Sequence, residues 1–122
     1  MSDAASARPR RFQALTIVRL RSPQTPVPDT PDDERIHLAH LAYLGGLRDQ
    51  GVVLLNGPVR RVDDPRFRGM TIYAVPVDEA RRLALEDPAV RAGWFEPHVD
   101  GWLLPAVPVT LGTTVDLEMP ED

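Results

Sequence analysis

Residues 30–51 read TPDDERIHLAHLAYLGGLRDQG, and this stretch decides the fold. Thr30 is placed to cap a helix, Pro31 fits a first helical position, and Asp32, Asp33 and Glu34 suit the positive end of the helix dipole. No proline follows until Pro58, and Gly51, just past Gln50, is a stop signal. At about 100° per residue, Ile36, His40, Tyr43, Leu44 and Leu47 fall within one arc, so the helix has one inward face.

Working outward, residues 21–31 (RSPQTPVPDTP) hold four prolines and form a loop of extended character. Before it, Phe12 to Leu20 (FQALTIVRL) is rich in strand formers. After the helix, Val52 to Asn56 (VVLLN) is a buried strand closed by Gly57-Pro58. Arg60 to Arg66 is a hairpin loop, and Phe67 to Val75 (FRGMTIYAV) is a third strand. Asp78 opens a second helix (DEARRLALE) that stops before Pro88, because the residue before proline disfavours helical geometry. Asp87-Pro88 then restarts a short turn to Ala92-Gly93, and Trp94 to Leu104 (WFEPHVDGWLL) is the last strand. Pro97 within it argues for an edge position or a bulge.

The order β-α-β-β-α-β predicts an α+β, ferredoxin-like fold with helices on one face of a four-stranded antiparallel sheet. Alternation in the first strand puts Phe12, Ala14, Thr16, Val18 and Leu20 on one side and Leu15 and Ile17 on the other. Both sides are partly apolar, so both need cover, and a sheet-to-sheet homodimer supplies it. Residues 1–11 are expected to be a disordered lead-in, 12–104 the domain, and 105–122 a proline-containing acidic tail, loose or laid on a neighbour.

Composition narrows the function. The 122 residues suit one domain, and a net charge of −4 is the wrong sign for a surface that tracks nucleic-acid phosphates. The absence of cysteine excludes disulfides, zinc–thiolate sites and thiol nucleophiles. Every basic residue is arginine, which also excludes lysine Schiff bases and P-loop chemistry. No dinucleotide fingerprint or G-x-S-x-G is present, and no apolar run reaches the ~20 residues of a membrane span. A soluble cytoplasmic domain is expected, with no cofactor, no nucleic acid and no membrane partner.

His40 lies near the middle of the inward arc. It is either a core histidine bonded to a carbonyl or a base, since imidazole exchanges protons near neutrality. Asp87 falls four residues after Leu83 and seven after Ala80, on the inward stripe of the second helix. Its ordinary role is to cap the turn opened by Pro88; its sharper role is to orient an imidazole from the neighbouring helix. Glu34, His37 and His40 have helical spacing for a metal, but a third strong ligand is lacking and none is expected. His98 alternates with Trp94, Glu96, Asp100 and Trp102, where a cross-strand structural pair competes with ligand contact. Arg60, Arg61, Arg66 and Arg68 cluster around the hairpin, either as a solvated loop or as a mouth for an anionic substrate.

The chain resembles the YCII-related (YciI-like) family. The resemblance rests on His40-Leu41-Ala42, Gly51 eleven residues on, Gly57-Pro58, Glu86-Asp87-Pro88-Ala89-Val90 and Ala92-Gly93, then an aromatic, acidic and histidine-bearing strand. It covers about residues 12–104 and implies ferredoxin-like protomers paired into a dimeric α+β barrel. It also implies a His–Asp pair in a cleft, which falls here on His40 and Asp87. The activity best associated with the family is dehydrochlorination of a chlorinated hydroxyhydroquinone, and related barrels include muconolactone isomerases and cofactor-free oxygenases. The 21–31 loop and the 105–122 tail depart from the family.

The expected activity is a cofactor-independent lyase or isomerase moving a proton on a cyclic or enolisable small molecule. His40 is the candidate base and Asp87 its orienter. Tyr43, Asn56, Gly57, Pro58 and His98 are the candidate substrate-binding residues. Backbone amides near Gly57, or an arginine, are candidates to meet a developing oxyanion. The alternatives are a non-catalytic ligand-binding or sensor module and a structural partner subunit.

Overall fold

The computed structural model describes residues 11–111. The expectations for residues 1–10 and 112–122 lie outside the described residues. The elements run β1 (Phe12–Arg21), α1 (Asp33–Asp49), β2 (Val53–Pro58), β3 (Phe67–Tyr73), α2 (Val77–Leu85), α3 (Pro88–Arg91) and β4 (Glu96–Pro105). The strands form one sheet in the order β2-β3-β1-β4, with every neighbouring pair antiparallel. This is the ferredoxin-like arrangement expected from the element order. β4 is an edge strand, which accommodates Pro97.

Alternation sorts the sheet into two faces. Thr16, Val18 and Leu20 of β1, Thr71 and Tyr73 of β3 and Val53 of β2 are buried on the helix side. Leu47 of α1 and Ala80, Leu83 and Ala84 of α2 close over them as one apolar core. Thr16 is the polar exception, and its hydroxyl donates to the Val75 carbonyl at 2.7 Å, so its burial leaves no unmet donor. The opposite face carries Leu15 and Ile17 of β1, Met70 and Ile72 of β3, Leu55 of β2 and Trp102 of β4 by the same register. Leu55 and Trp102 there are 45% and 41% exposed.

α1 differs from expectation at its start and matches it at its end. Thr30 does not cap the helix, which begins at Asp33 after the N-cap residue Asp32. Instead Thr30 and Asp33 bond reciprocally: the Thr30 N–H and hydroxyl both donate to the Asp33 carboxylate, and the Thr30 hydroxyl accepts from the Asp32 N–H. That closed turn holds Pro31 and Asp32 outside the helix. At the other end Gly51 has φ +76°, its N–H donates to the Arg48 carbonyl, and the Val52 N–H donates to the Leu47 carbonyl. These are the two bonds of a Schellman stop, and they deliver the chain directly into β2.

The same device recurs after α3. Gly93 has φ +83°, its N–H donates to Val90, and the Trp94 N–H donates to Ala89. A Cβ on Gly93 would lie 3.2 Å from Val27 Cγ1, so this turn packs closely against the proline-rich loop. The turn throws Trp94 and Phe95 back toward α1.

Candidate functional site

His40 and Asp87 meet. The His40 Nδ1 stands 2.8 Å from each carboxylate oxygen of Asp87. The two residues are 47 apart in sequence and are joined because α1 packs beside α3. Asp87 also keeps its local role: as N-cap of α3 its Oδ1 accepts the Ala89 N–H at 2.9 Å. Capping and orienting, alternatives in the sequence, are one geometry. Asp87 is 2% exposed, so its contact with the ring is little screened by water.

A carboxylate accepts only, so a hydrogen bond to neutral His40 puts the ring proton on Nδ1 and the lone pair on Nε2. Nε2 has no hydrogen-bond partner among the described residues, and the one buried, unpartnered side-chain nitrogen or oxygen among them is His98 Nε2. His40 Nε2 is therefore open to solvent. Phe95 flanks the ring, with centroids 6.0 Å apart and planes at 52°.

His40 lines an open cleft of about 700 Å³ between α1, the β2–β3 end of the sheet and the proline-rich loop. Its walls are largely apolar: Pro23, Pro26, Val27, Pro28, Leu41 and Trp94 contribute, with Leu20, Met70 and Phe95. Of the sequence-derived candidates, Asn56, Gly57 and Pro58 line it. The Asn56 Oδ1 also accepts from Arg48 at 2.6 Å, which fixes the amide.

Two candidates are placed elsewhere. The Tyr43 hydroxyl donates to the Leu83 carbonyl at 2.8 Å, tying α1 to α2, and the side chain does not line the cleft. Burial, with the carboxylates of Glu86 and Asp87, holds its phenol above the ordinary tyrosine range. His98 of β4 pairs with Arg19 of β1 and alternates with the inward Val99, so it belongs to the opposite sheet face, and it does not line the cleft. His37 lines the cleft wall without joining the pair, and among the described residues no cluster of three metal-ligating side chains forms. The wall residues Trp94, Phe95, Met70 and Thr71 were not among the sequence candidates. The readable signal for the first two was Gly93 immediately ahead of them.

Among the described residues no helix is long and apolar enough to cross a membrane. Comparison with curated protein sequences finds no match. Among solved structures the fold is similar to 5-chloro-2-hydroxyhydroquinone dehydrochlorinase from Burkholderia phenoliruptrix, determined in complex with 2,5-dihydroxybenzoquinone. The TM-score is 0.51 at 24% identity, covering 72% of this chain and 92% of that one. The family model described as the YCII-related domain matches residues 19–99. That span is more than half of the chain and includes both the helix carrying His40 and the turn carrying Asp87, so the chain belongs to the YCII-related family.

Proposed function

We propose that the protein is a small-molecule lyase or isomerase in which His40 is the general base and Asp87 its positioning residue. The observation that carries this reading is the 2.8 Å contact of His40 Nδ1 with both Asp87 oxygens, with Nε2 lacking a hydrogen-bond partner among the described residues and His40 lining a cleft of about 700 Å³. Such a cleft suits a single cyclic molecule. The similar dehydrochlorinase holds a six-membered dihydroxyquinone, and this supports a planar cyclic substrate.

In the proposed reaction His40 Nε2 takes a proton from a carbon beside a carbonyl. The N–H bond forms as the C–H bond breaks, and the electron pair moves onto the carbonyl oxygen as an enolate. In a lyase the pair returns as a C=C bond while a leaving group departs from the adjacent carbon with its bonding electrons. In an isomerase the same proton returns to another carbon. Asp87 stabilises the imidazolium that exists between these steps and holds the ring in the tautomer that accepts. A base of this kind contributes roughly 10²–10⁴-fold.

The reading includes a homodimer through the open sheet face. Leu15, Ile17, Met70, Ile72, Leu55 and Trp102 share that face, and a second copy laid on it buries a patch that one protomer leaves without a helix layer.

The test is proton exchange. The protein is incubated in deuterated buffer with cyclic enolisable ketones, lactones and chlorinated hydroxyhydroquinones, and label uptake and halide release are followed by NMR and ion chromatography. Uptake or release that vanishes in His40→Ala is expected. Binding that shifts the His40 resonances without turnover of any member would replace the enzyme with a ligand-binding module.

A further inference from the structure

Removing a proton beside a carbonyl puts charge on the carbonyl oxygen, and a donor must meet it there. The arginines around the β2–β3 hairpin do not supply that donor. Arg60 and Arg61 do not line the cleft, and Arg66 is engaged by the Ser22 carbonyl and by Glu96. Strand alternation turns Arg68 to the open sheet face with Met70 and Ile72. Asp29 and Asp33 line the cleft, but carboxylates only accept. Asn56 and Trp94 line it and carry N–H donors, which can hold an oxygen but cannot hand it a proton.

α1 brings a second imidazole to the same cleft. The residues of α1 that line it are Asp33, His37, His40, Leu41 and Leu44. At about 100° per residue, measured from Asp33, they lie at about +40° (His37), −20° (His40), +80° (Leu41) and +20° (Leu44). His37 therefore stands near the centre of the cleft-facing arc. Tyr43 and Leu47, which pack on the core, lie at about −80° and −40°, so His40 sits at the border of the two arcs. That border position lets one of its nitrogens reach Asp87 while the ring still lines the cleft.

His37 is exposed, and among the described residues its ring has no hydrogen bond, ion pair or ring contact. Three residues of helix advance about 4.5 Å, and side chains three apart have Cβ atoms roughly 5–6 Å from each other. A ketone's α-carbon and oxygen, or the corresponding pair of an enone, bridge two imidazoles at that spacing.

We propose that His37 is a second catalytic residue, which donates a proton to the substrate's carbonyl oxygen while His40 takes one from the neighbouring carbon. This deepens the reading of the His40 cleft as the substrate site and rests on it. The C–H bond and the His37 N–H bond break, the His40 N–H bond and a substrate O–H bond form, and the C–H electron pair becomes the C=C bond of an enol. In an isomerisation His40 returns its proton to another carbon and His37 takes back the hydroxyl proton, so both rings end as they began. In an elimination the C=C pair expels the leaving group from the adjacent carbon, and the hydroxyl proton again returns to His37. The charged groups set around His37 are Asp33, one turn back on α1, Asp29 on the loop, and His40 with Asp87 behind it. Imidazole is the side chain that both gives and recovers a proton near neutrality.

The test uses 4-nitrophenolate, whose charged ring oxygen stands in for an enolate, and its uncharged methyl ether 4-nitroanisole. Binding to the full chain is followed by NMR at the imidazole carbons, with His98, on the opposite sheet face, as the internal control. The phenolate is expected to bind at least about tenfold more tightly than the ether and to shift both His37 and His40. His37→Ala brings the two probes to equal affinity, and His37→Gln, which keeps a neutral donor, retains part of the preference. His37 is exposed on the helix surface, and both replacements are good helix formers, so both variants fold. Equal binding of the probes, a preference that survives His37→Ala, or shifts at His40 alone overturns the assignment of His37 and leaves the His40 cleft reading standing. Shifts at His37 with His40 unmoved overturn the cleft reading, and with it the pairing of the two rings. Absence of phenolate binding at millimolar concentration overturns the proposal.

Discussion

Replacing Asp87 by asparagine and by alanine separates two jobs that one carboxylate performs. Alanine removes the N-cap of α3, worth about 0.5–2 kcal/mol. It also leaves the His40 Nδ1–H, on a side chain only 13% exposed, without its acceptor, at a further ~1–3 kcal/mol. Because both losses fall on one site they do not simply add; a total of about 2–4 kcal/mol is expected, on the order of 10 °C in Tm for a domain of this size. Asparagine keeps an oxygen for the Ala89 N–H and turns its NH₂ toward His40. An NH₂ donates, so the ring must accept at Nδ1 and carry its proton on Nε2. Stability then falls by less than half the alanine value, yet His40 has no lone pair facing the cleft. Thermal unfolding reads the first effect, and ¹⁵N NMR of the imidazole reads the second without a substrate. A wild-type ring protonated on Nε2 with Nδ1 bare, or equal destabilisation by asparagine and alanine, refutes the reasoning.

Gly93→Ala places a side chain at φ +83° and 3.2 Å from Val27, so a loss of about 1–2 kcal/mol is expected in denaturant titration, with altered fluorescence of Trp94 as the turn shifts. Sedimentation at low micromolar concentration is expected to give a dimer mass and Trp102→Glu a monomer; a wild-type monomer removes the sheet-face pairing. Asp64 accepts the Arg66 N–H and faces the Arg21 guanidinium, and these hold its carboxyl below the ordinary aspartate range. Its contribution to the hairpin is therefore fully present above the unfolded aspartate pKa and lost as pH falls through the lowered folded value. A carboxyl ¹³C titration with a midpoint at or above about 3.9 contradicts this.

The order of elements was legible because its punctuation is chemical. Gly51, Gly57-Pro58 and Pro88 each mark the end of what precedes them, and the observed boundaries fall within three residues of those points. The start of α1 was misplaced because Thr30 has two possible partners. The sequence shows a residue able to cap, but the choice between the helix N–H groups and the Asp33 side chain depends on how the loop enters. Tyr43 illustrates a different limit. Helical periodicity places it on the inward arc correctly, but periodicity has no information about which neighbour that arc meets. At Tyr43 the neighbour is α2 and the hydroxyl finds Leu83, whereas three residues earlier it is α3 and the ring finds Asp87.

His40 and Asp87 therefore could not have been separated from an ordinary core histidine and an ordinary cap by spacing alone, and the reason is structural. Pro88 requires an N-cap, and an aspartate at that position keeps one oxygen on the Ala89 N–H while its second oxygen, and the remaining capacity of the first, point outward from the turn. A cap is thereby a rigid carboxylate with spare acceptor sites, held in place whether or not anything uses them. α1 brings an imidazole to those sites at a depth where the carboxylate is buried and the far ring nitrogen is not. The local rule that makes Asp87 look structural also supplies the fixed orientation a base requires. A serine cap at 87 would satisfy Ala89 comparably and hold α3 in place, but it would bring a neutral hydroxyl to His40 and offer no counter-charge to an imidazolium. Burying a carboxylate for capping alone is the costlier choice, whereas at position 87 the same group both caps α3 and meets the His40 ring.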